Sequence, residues 1–171
     1  KHAKHRIPWL LVLMLSATIT GTIITKYENA FAVIPILVAF IPMLMDTGGN
    51  CGSQSATLVI RGLAVDEIHF ADTLKVAWKE FRVAIIVSIV LAIANGIKIL
   101  IMYKDPKLAV LIAFSLIFTI ITAKLVGCLL PIGAKFCKLD PAIMASPLIT
   151  TIVDTFSIMI YFNIATAMFK F

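Results

Sequence analysis

The chain has 171 residues, 61% of them hydrophobic and 14% charged, against roughly 45–50% apolar and about 25% charged in a soluble globular domain. The excess requires lipid as its solvent, and the length suits one domain, residues 1–171. A net charge of +6 is no nucleic-acid signature here, because the basic residues sit between apolar runs, where they meet anionic lipid headgroups and set orientation.

The stretch Lys1-His2-Ala3-Lys4-His5-Arg6 is read as the juxtamembrane end of something longer, because no small-residue cleavage site follows it. The first apolar run, Pro8 to Thr25, just spans a hydrocarbon core of about 30 Å. Pro8 suits a helix start and Trp9 the interfacial aromatic belt. Lys26-Tyr27-Glu28-Asn29 is a polar turn. The second segment, Ala30 to Ile60, exceeds the bilayer core as one straight helix, and it carries Pro35, Pro42 and Gly48-Gly49. It is expected to be long and kinked or broken at the glycine pair, and broken backbone at membrane depth belongs beside protein or a water-filled cavity.

Arg61 to Thr73 is a polar connection. A third span lies within Leu74 to Tyr103, with Lys75, Lys79, Glu80 and Arg82 near its start. Lys104-Asp105-Pro106-Lys107 is a turn, the fourth span is Leu108 to Phe136, and the fifth is Pro141 to Phe169. The fold class is therefore an all-α integral membrane protein with five transmembrane helices. With the N-terminus cytoplasmic, nine basic residues (Lys1, Lys4, Arg6, Arg61, Lys75, Lys79, Arg82, Lys135 and Lys138) lie inside and five (Lys26, Lys98, Lys104, Lys107 and Lys170) outside. The positive-inside rule favours that orientation, with the C-terminus extracytoplasmic.

Ionisable groups inside a span cost at least ~2.5 kcal/mol each on insertion scales and are functional candidates for that reason. Asp46, Lys124 and Asp154 qualify. Ser146, Thr150 and Asp154 are spaced by four and stack on one helix face, which Ser157 and Tyr161 continue. Pro147 frees a backbone carbonyl one turn back. Oxygen-only ligation suits a hard cation such as Mg²⁺ or Ca²⁺. The competing reading is an Asp154–Lys124 ion pair. Asp46 opens a second polar run in which Asn50 and Gln54 share a face; this is either a pore-lining break or a helix-packing motif. Asp140-Pro141 reads first as a helix cap and first turn, and second as a cation-concentrating mouth.

Glu28, Asp66, Glu67, Asp72 and Glu80 read as solvated interfacial charges, and His2, His5 and His69 form no ligand cluster. Cys51, Cys128 and Cys137 have no metal-ligand spacing and read as packing residues. No Walker-type loop, metalloprotease His pair or nucleophile elbow is present, so no enzyme is indicated.

Four stretches together resemble the transmembrane domain of the MgtE family of magnesium channels. They are Arg6-Ile7-Pro8-Trp9-Leu10-Leu11; Gly48-Gly49-Asn50-Cys51-Gly52-Ser53-Gln54-Ser55 leading to Arg61-Gly62-Leu63-Ala64; Asp140-Pro141-Ala142; and Pro147 through Thr150-Thr151 to Asp154 with Tyr161. The resemblance implies a five-helix protomer in a homodimer, a pore on the dimer axis lined by the second and fifth helices, Mg²⁺ as the transported ion, and Asp154 as the selectivity residue. It carries over only the backbone oxygens of Ser146 and Thr150. It also implies a cytosolic regulatory region with paired CBS domains, absent here, so that this pore domain would conduct with weak dependence on cytosolic Mg²⁺. One carboxylate stripe per chain is thin for a divalent cation, and a two-fold axis would bring two Asp154 side chains around a largely hydrated ion. The alternatives are a coupled cation exchanger, for which Asp46 and Lys124 leave room, and more remotely an intramembrane aspartyl protease, suggested by Asp46-Thr47-Gly48.

Overall fold

The structure, a computed structural model, describes residues 2–27, 32 and 34–169, with side chains throughout except at 2–6, 8, 9, 12 and 142–147. Five α-helices follow one another: α1 (His2–Lys26), α2 (Ile41–Ala64), α3 (Thr73–Tyr103), α4 (Pro106–Phe136) and α5 (Pro141–Phe169). Short 3-10 turns, Pro35–Phe40 and Phe70–Asp72, precede α2 and α3, and no strand occurs among the described residues. Three helical stretches, Phe70–Tyr103, Pro106–Phe136 and Leu148–Phe169, are long and apolar enough to cross a bilayer, and α1 contains the shorter apolar stretch Leu13–Lys26. α2 does not reach that apolarity because its middle is a polar run. The chain is a multi-pass, all-α membrane protein.

Two expectations about helix continuity are corrected. α2 runs unbroken through Gly48-Gly49, and the departure from α geometry comes earlier, in the 3-10 turn that opens at Pro35. Pro42 sits in the first turn of α2, where a missing N–H costs no helix bond. α1 likewise begins at His2, ahead of Pro8; near a helix end outside the hydrocarbon, water can satisfy the carbonyl that a proline leaves without a donor.

The connections are tight. Lys104, with φ 52, ends α3 in the left-handed region. The Asp105 side chain then accepts from the backbone N–H groups of Lys107 (2.9 Å) and Leu108 (3.2 Å), with Pro106 in the first turn of α4. That antiparallel pair leaves α4 the most enclosed of the three long apolar helices and α3 the most exposed. α4 packs against α2, α3 and α5, and α2 packs against α4 and α5. α1 docks on α5 through a Thr20–Thr155 hydroxyl contact of 3.1 Å and a stack of Tyr27 on Phe162 with ring centroids 4.6 Å apart.

Lipid supplies no hydrophobic force between helices, so close packing and polar contacts hold them together. The glycines of α2 make the closest approaches. A Cβ on Gly48 would lie 2.9 Å from Thr119 Cγ2 and from Val153 Cγ1, and one on Gly52 would lie 2.9 Å from Ile149 Cγ2. A Cβ on Gly127 of α4 would run into the backbone carbonyl of Gly52. Overpacking of this kind costs about 1–3 kcal/mol when neighbours can shift, and backbone cannot shift cheaply. Gly127→Ala is therefore expected to lower the unfolding temperature of the detergent-solubilised protein markedly. Gly96→Ala, where a Cβ meets nothing within 4 Å, should leave it unchanged or raise it. Equal behaviour of the two variants would show that the α2–α4 contact is not close-packed.

Candidate cation groove between α2 and α5

Along α2, Asp46, Gly49, Asn50 and Ser53 recur at spacings of three and four and share one face. Gly48, Gly52 and Ser55 lie on the opposite, buried face. α5 lies against α2 with Ile149 and Val153 on the glycines, which turns Thr150 and Asp154 toward the polar face of α2. The result is a groove of about 440 Å³ lined by Pro42, Met45, Asp46, Gly49, Asn50, Ser53, Thr150 and Asp154. The Asn50 amide donates to Asp46 Oδ2 at 3.1 Å, which holds that carboxylate in the groove wall. Asp46 and Asn50 are exposed and Asp154 is half-buried, so the groove opens on the surface of the protomer.

The donor set is two carboxylates, one amide and two hydroxyls, all oxygen groups suited to a hard cation. Among the described residues no three His, Cys, Asp or Glu side chains cluster as a metal cage would require. One protomer therefore presents only two charged ligands, Asp46 and Asp154, too few to strip a divalent ion of its water.

The expected polar stripe on α5 divides. Thr150 and Asp154 face the groove, whereas Ser157 is buried and donates to Val153 O at 2.6 Å, and Tyr161 is buried and donates to Leu37 O at 2.9 Å. The turn Pro35–Phe40 covers that end of α5, so the same helix face changes from groove to core along its length. Ser146 belongs to α5, with its side chain outside the described residues. Asp140 is exposed and immediately precedes α5, away from the groove.

Lys124 pairs elsewhere than with Asp154. Its ammonium lies 3.7 Å from Glu80 Oε2 and donates to Ser55 Oγ (3.2 Å) and Gln54 Oε1 (3.3 Å), and Ser55 Oγ donates to Glu80 Oε2 at 2.7 Å. Lys124 is 2% exposed and Glu80 7%. Gln54 thus joins this bridge and does not line the groove with Asn50. Glu80, read from sequence as a solvated interfacial charge, is buried. The overlooked signal is the ladder Glu80, Ala84, Ser88, Ala92 at intervals of four, which is the packed face of α3.

Residues 41–164 match the family model MgtE, described as a divalent cation transporter. Among curated proteins, the magnesium transporter MgtE of Bacillus subtilis is 38% identical over 165 residues, covering 96% of this chain and 37% of the relative. That of Thermus thermophilus is 33% identical over 162 residues, covering 94% of this chain and 35% of its own length. That of Enterococcus faecalis is 29% identical over 171 residues, covering 100% of this chain and 38% of its own length. The chain spans little more than a third of the length of these relatives.

Breaking a buried ion pair from one side costs about 3–5 kcal/mol, because the remaining charge is left without a counter-ion. Glu80→Gln and Lys124→Met are each expected to destabilise the protein severely, and the double variant should lie closer to the wild type than either. Thermal unfolding in detergent gives the comparison, and additive losses in the double variant would mean the two groups are uncoupled.

Proposed function

The chain belongs to the MgtE family of divalent cation transporters, and from that premise we propose that it forms a homodimeric channel that conducts Mg²⁺, with the α2–α5 groove as half of the pore. The observation that carries the proposal is the meeting of Asp154 and Thr150 with Asp46, Asn50 and Ser53 in one groove that opens outward from the protomer. The curated relatives are named magnesium transporters, and the family is one of transporters, not enzymes.

A two-fold axis along the open side of the groove sets two Asp154 carboxylates across from each other and matches the double charge of the ion. Mg²⁺ gives up water reluctantly, and in this reading an oxygen-lined path passes it with its shell, held by hydrogen bonds from water to the carboxylates and hydroxyls. In this reading Asp154 selects, Thr150 and Ser146 contribute pore-lining oxygens, and Asp46 and Asn50 complete the wall from α2. Asp140 stands at the mouth where α5 begins. The distribution of basic residues favours the N-terminus and the start of α5 on the cytoplasmic side.

Removing the selecting carboxylate removes the differential affinity for a divalent ion. Asp154→Ala is expected to abolish Mg²⁺ uptake into liposomes while eluting as folded protein on size exclusion; normal uptake by that variant would refute the assignment. In a Cys137→Ser background, which removes the exposed native thiol, Thr150→Cys should form a disulfide between two chains under mild oxidation. Full transport by a population that remains monomeric in the bilayer would refute the shared pore.

A further inference from the structure

α3 is longer than a membrane requires. Its 31 residues extend about 46 Å at 1.5 Å per residue, against a hydrocarbon core of about 30 Å. Lys75, Lys79, Glu80 and Arg82 all precede Val83, and the next charge is Lys98. The surplus is thus the first ten residues or so, and they lie at headgroup depth, where Trp78 is the expected kind of side chain.

Two stripes run side by side along that segment. Leu74, Trp78 and Phe81 are spaced by four and three, and Lys75, Lys79 and Arg82 repeat the same spacing one residue on. The apolar stripe forms one wall of a groove of about 610 Å³ lined by Leu74, Lys75, Ala77, Trp78, Phe81 and Leu125, a volume within the range of about 300–1,000 Å³ of small-molecule sites. Trp78 stacks on Phe81 with centroids 5.6 Å apart, and Leu125 closes the groove from α4.

The neighbouring charges do not cancel. Glu80 points inward to Lys124, Asp72 meets the exposed Lys75 at 3.4 Å, and among the described residues no ion pair engages Lys79 or Arg82. Both are exposed. We infer that this groove binds one anionic phospholipid, with an acyl chain between Trp78 and Leu125 and the phosphate on Lys79 and Arg82. Charge complementarity chooses the occupant: a zwitterionic choline head would set its cation beside the basic stripe, whereas an anionic head has only its phosphate to place there. The site stands apart from the cation groove. It lies over the seam where Glu80 joins α3 to Lys124 of α4, and the same bridge holds Ser55 and Gln54 of α2.

The chain has two tryptophans, Trp9 and Trp78, so Trp9→Phe leaves Trp78 as the sole reporter. The protein is reconstituted in phosphatidylcholine vesicles containing a minority of either brominated phosphatidylglycerol or brominated phosphatidylcholine, with a chelator present to prevent divalent bridging. Brominated phosphatidylglycerol should quench Trp78 several-fold more than the same fraction of brominated phosphatidylcholine. Lys79→Gln/Arg82→Gln should erase the difference. Ala77→Phe, which fills the groove and keeps the charges, should reduce it as well, and this separates a seated lipid from diffuse accumulation near a basic surface. Equal quenching by the two lipids, a preference that survives both variants, or no quenching by either because a second copy covers the groove would each overturn the assignment. Native mass spectrometry of phosphatidylglycerol retained by the same proteins gives a reading independent of Trp78.

Discussion

The backbone contact between Gly52 of α2 and Gly127 of α4 fixes the distance on which the remaining geometry depends. Neither position tolerates a Cβ without collision, so the two helices approach more closely than side chains would permit. Gly48 extends the same contact toward α4 and α5, against Thr119, Val153 and Ser157. With the glycine face turned inward, the opposite face of α2, bearing Asp46, Asn50 and Ser53, must turn outward along the edge of α5. The placement of the polar groove is therefore a consequence of small residues elsewhere on the same helix. In a solvent of lipid tails this order of causes is expected, because packing and not water exclusion decides which helix faces meet.

The Glu80–Lys124 bridge works at a different level. A buried ion pair is weak evidence for stability, since desolvation offsets most of its attraction. Its value lies in direction: Ser55, Gln54, Glu80 and Lys124 come from three helices and meet with specific donor–acceptor geometry. Sliding α2 by one residue past α3 or α4 would separate these partners, and would also bring a side chain onto the Gly52–Gly127 contact. Glycine sets how close α2 lies, and the bridge and the glycine contact together set its register.

Much of this was legible in the amino-acid order, and the failures share a cause. Spans and turns follow from apolar runs bounded by groups such as Lys104-Asp105-Pro106, and the pairing of Thr150 with Asp154 follows from a spacing of four. Gly48-Gly49 was misjudged because glycine has opposite meanings in the two solvents: it weakens a helix in water, yet inside a bundle it is where neighbouring backbones meet. Ser157 and Tyr161 lie on the Asp154 face by periodicity alone, but periodicity says nothing about what covers a face at each height, and Pro35–Phe40 covers it there. Lys124 was matched in sequence with Asp154 alone, and only the packing of α3 on α4 brings Glu80 to it. Gln54 was grouped with Asn50 by the same spacing, yet its carbonyl meets Lys124.

The sequestration of Lys124 bears on what the groove can attract. Two carboxylates, Asp46 and Asp154, line it without a cation among its lining residues. An ammonium there would oppose the entry of a positive ion, and at the low effective dielectric of a membrane interior the opposition would be felt over several ångströms. By drawing Lys124 behind α2 and neutralising it with Glu80, the fold keeps the membrane-depth lysine off the groove face and leaves the local field negative. That field has only one wall in a single protomer. In the proposed dimer, a second copy related by a two-fold axis would double the carboxylates without introducing any new chemistry, and a divalent cation is the species we propose that this field holds.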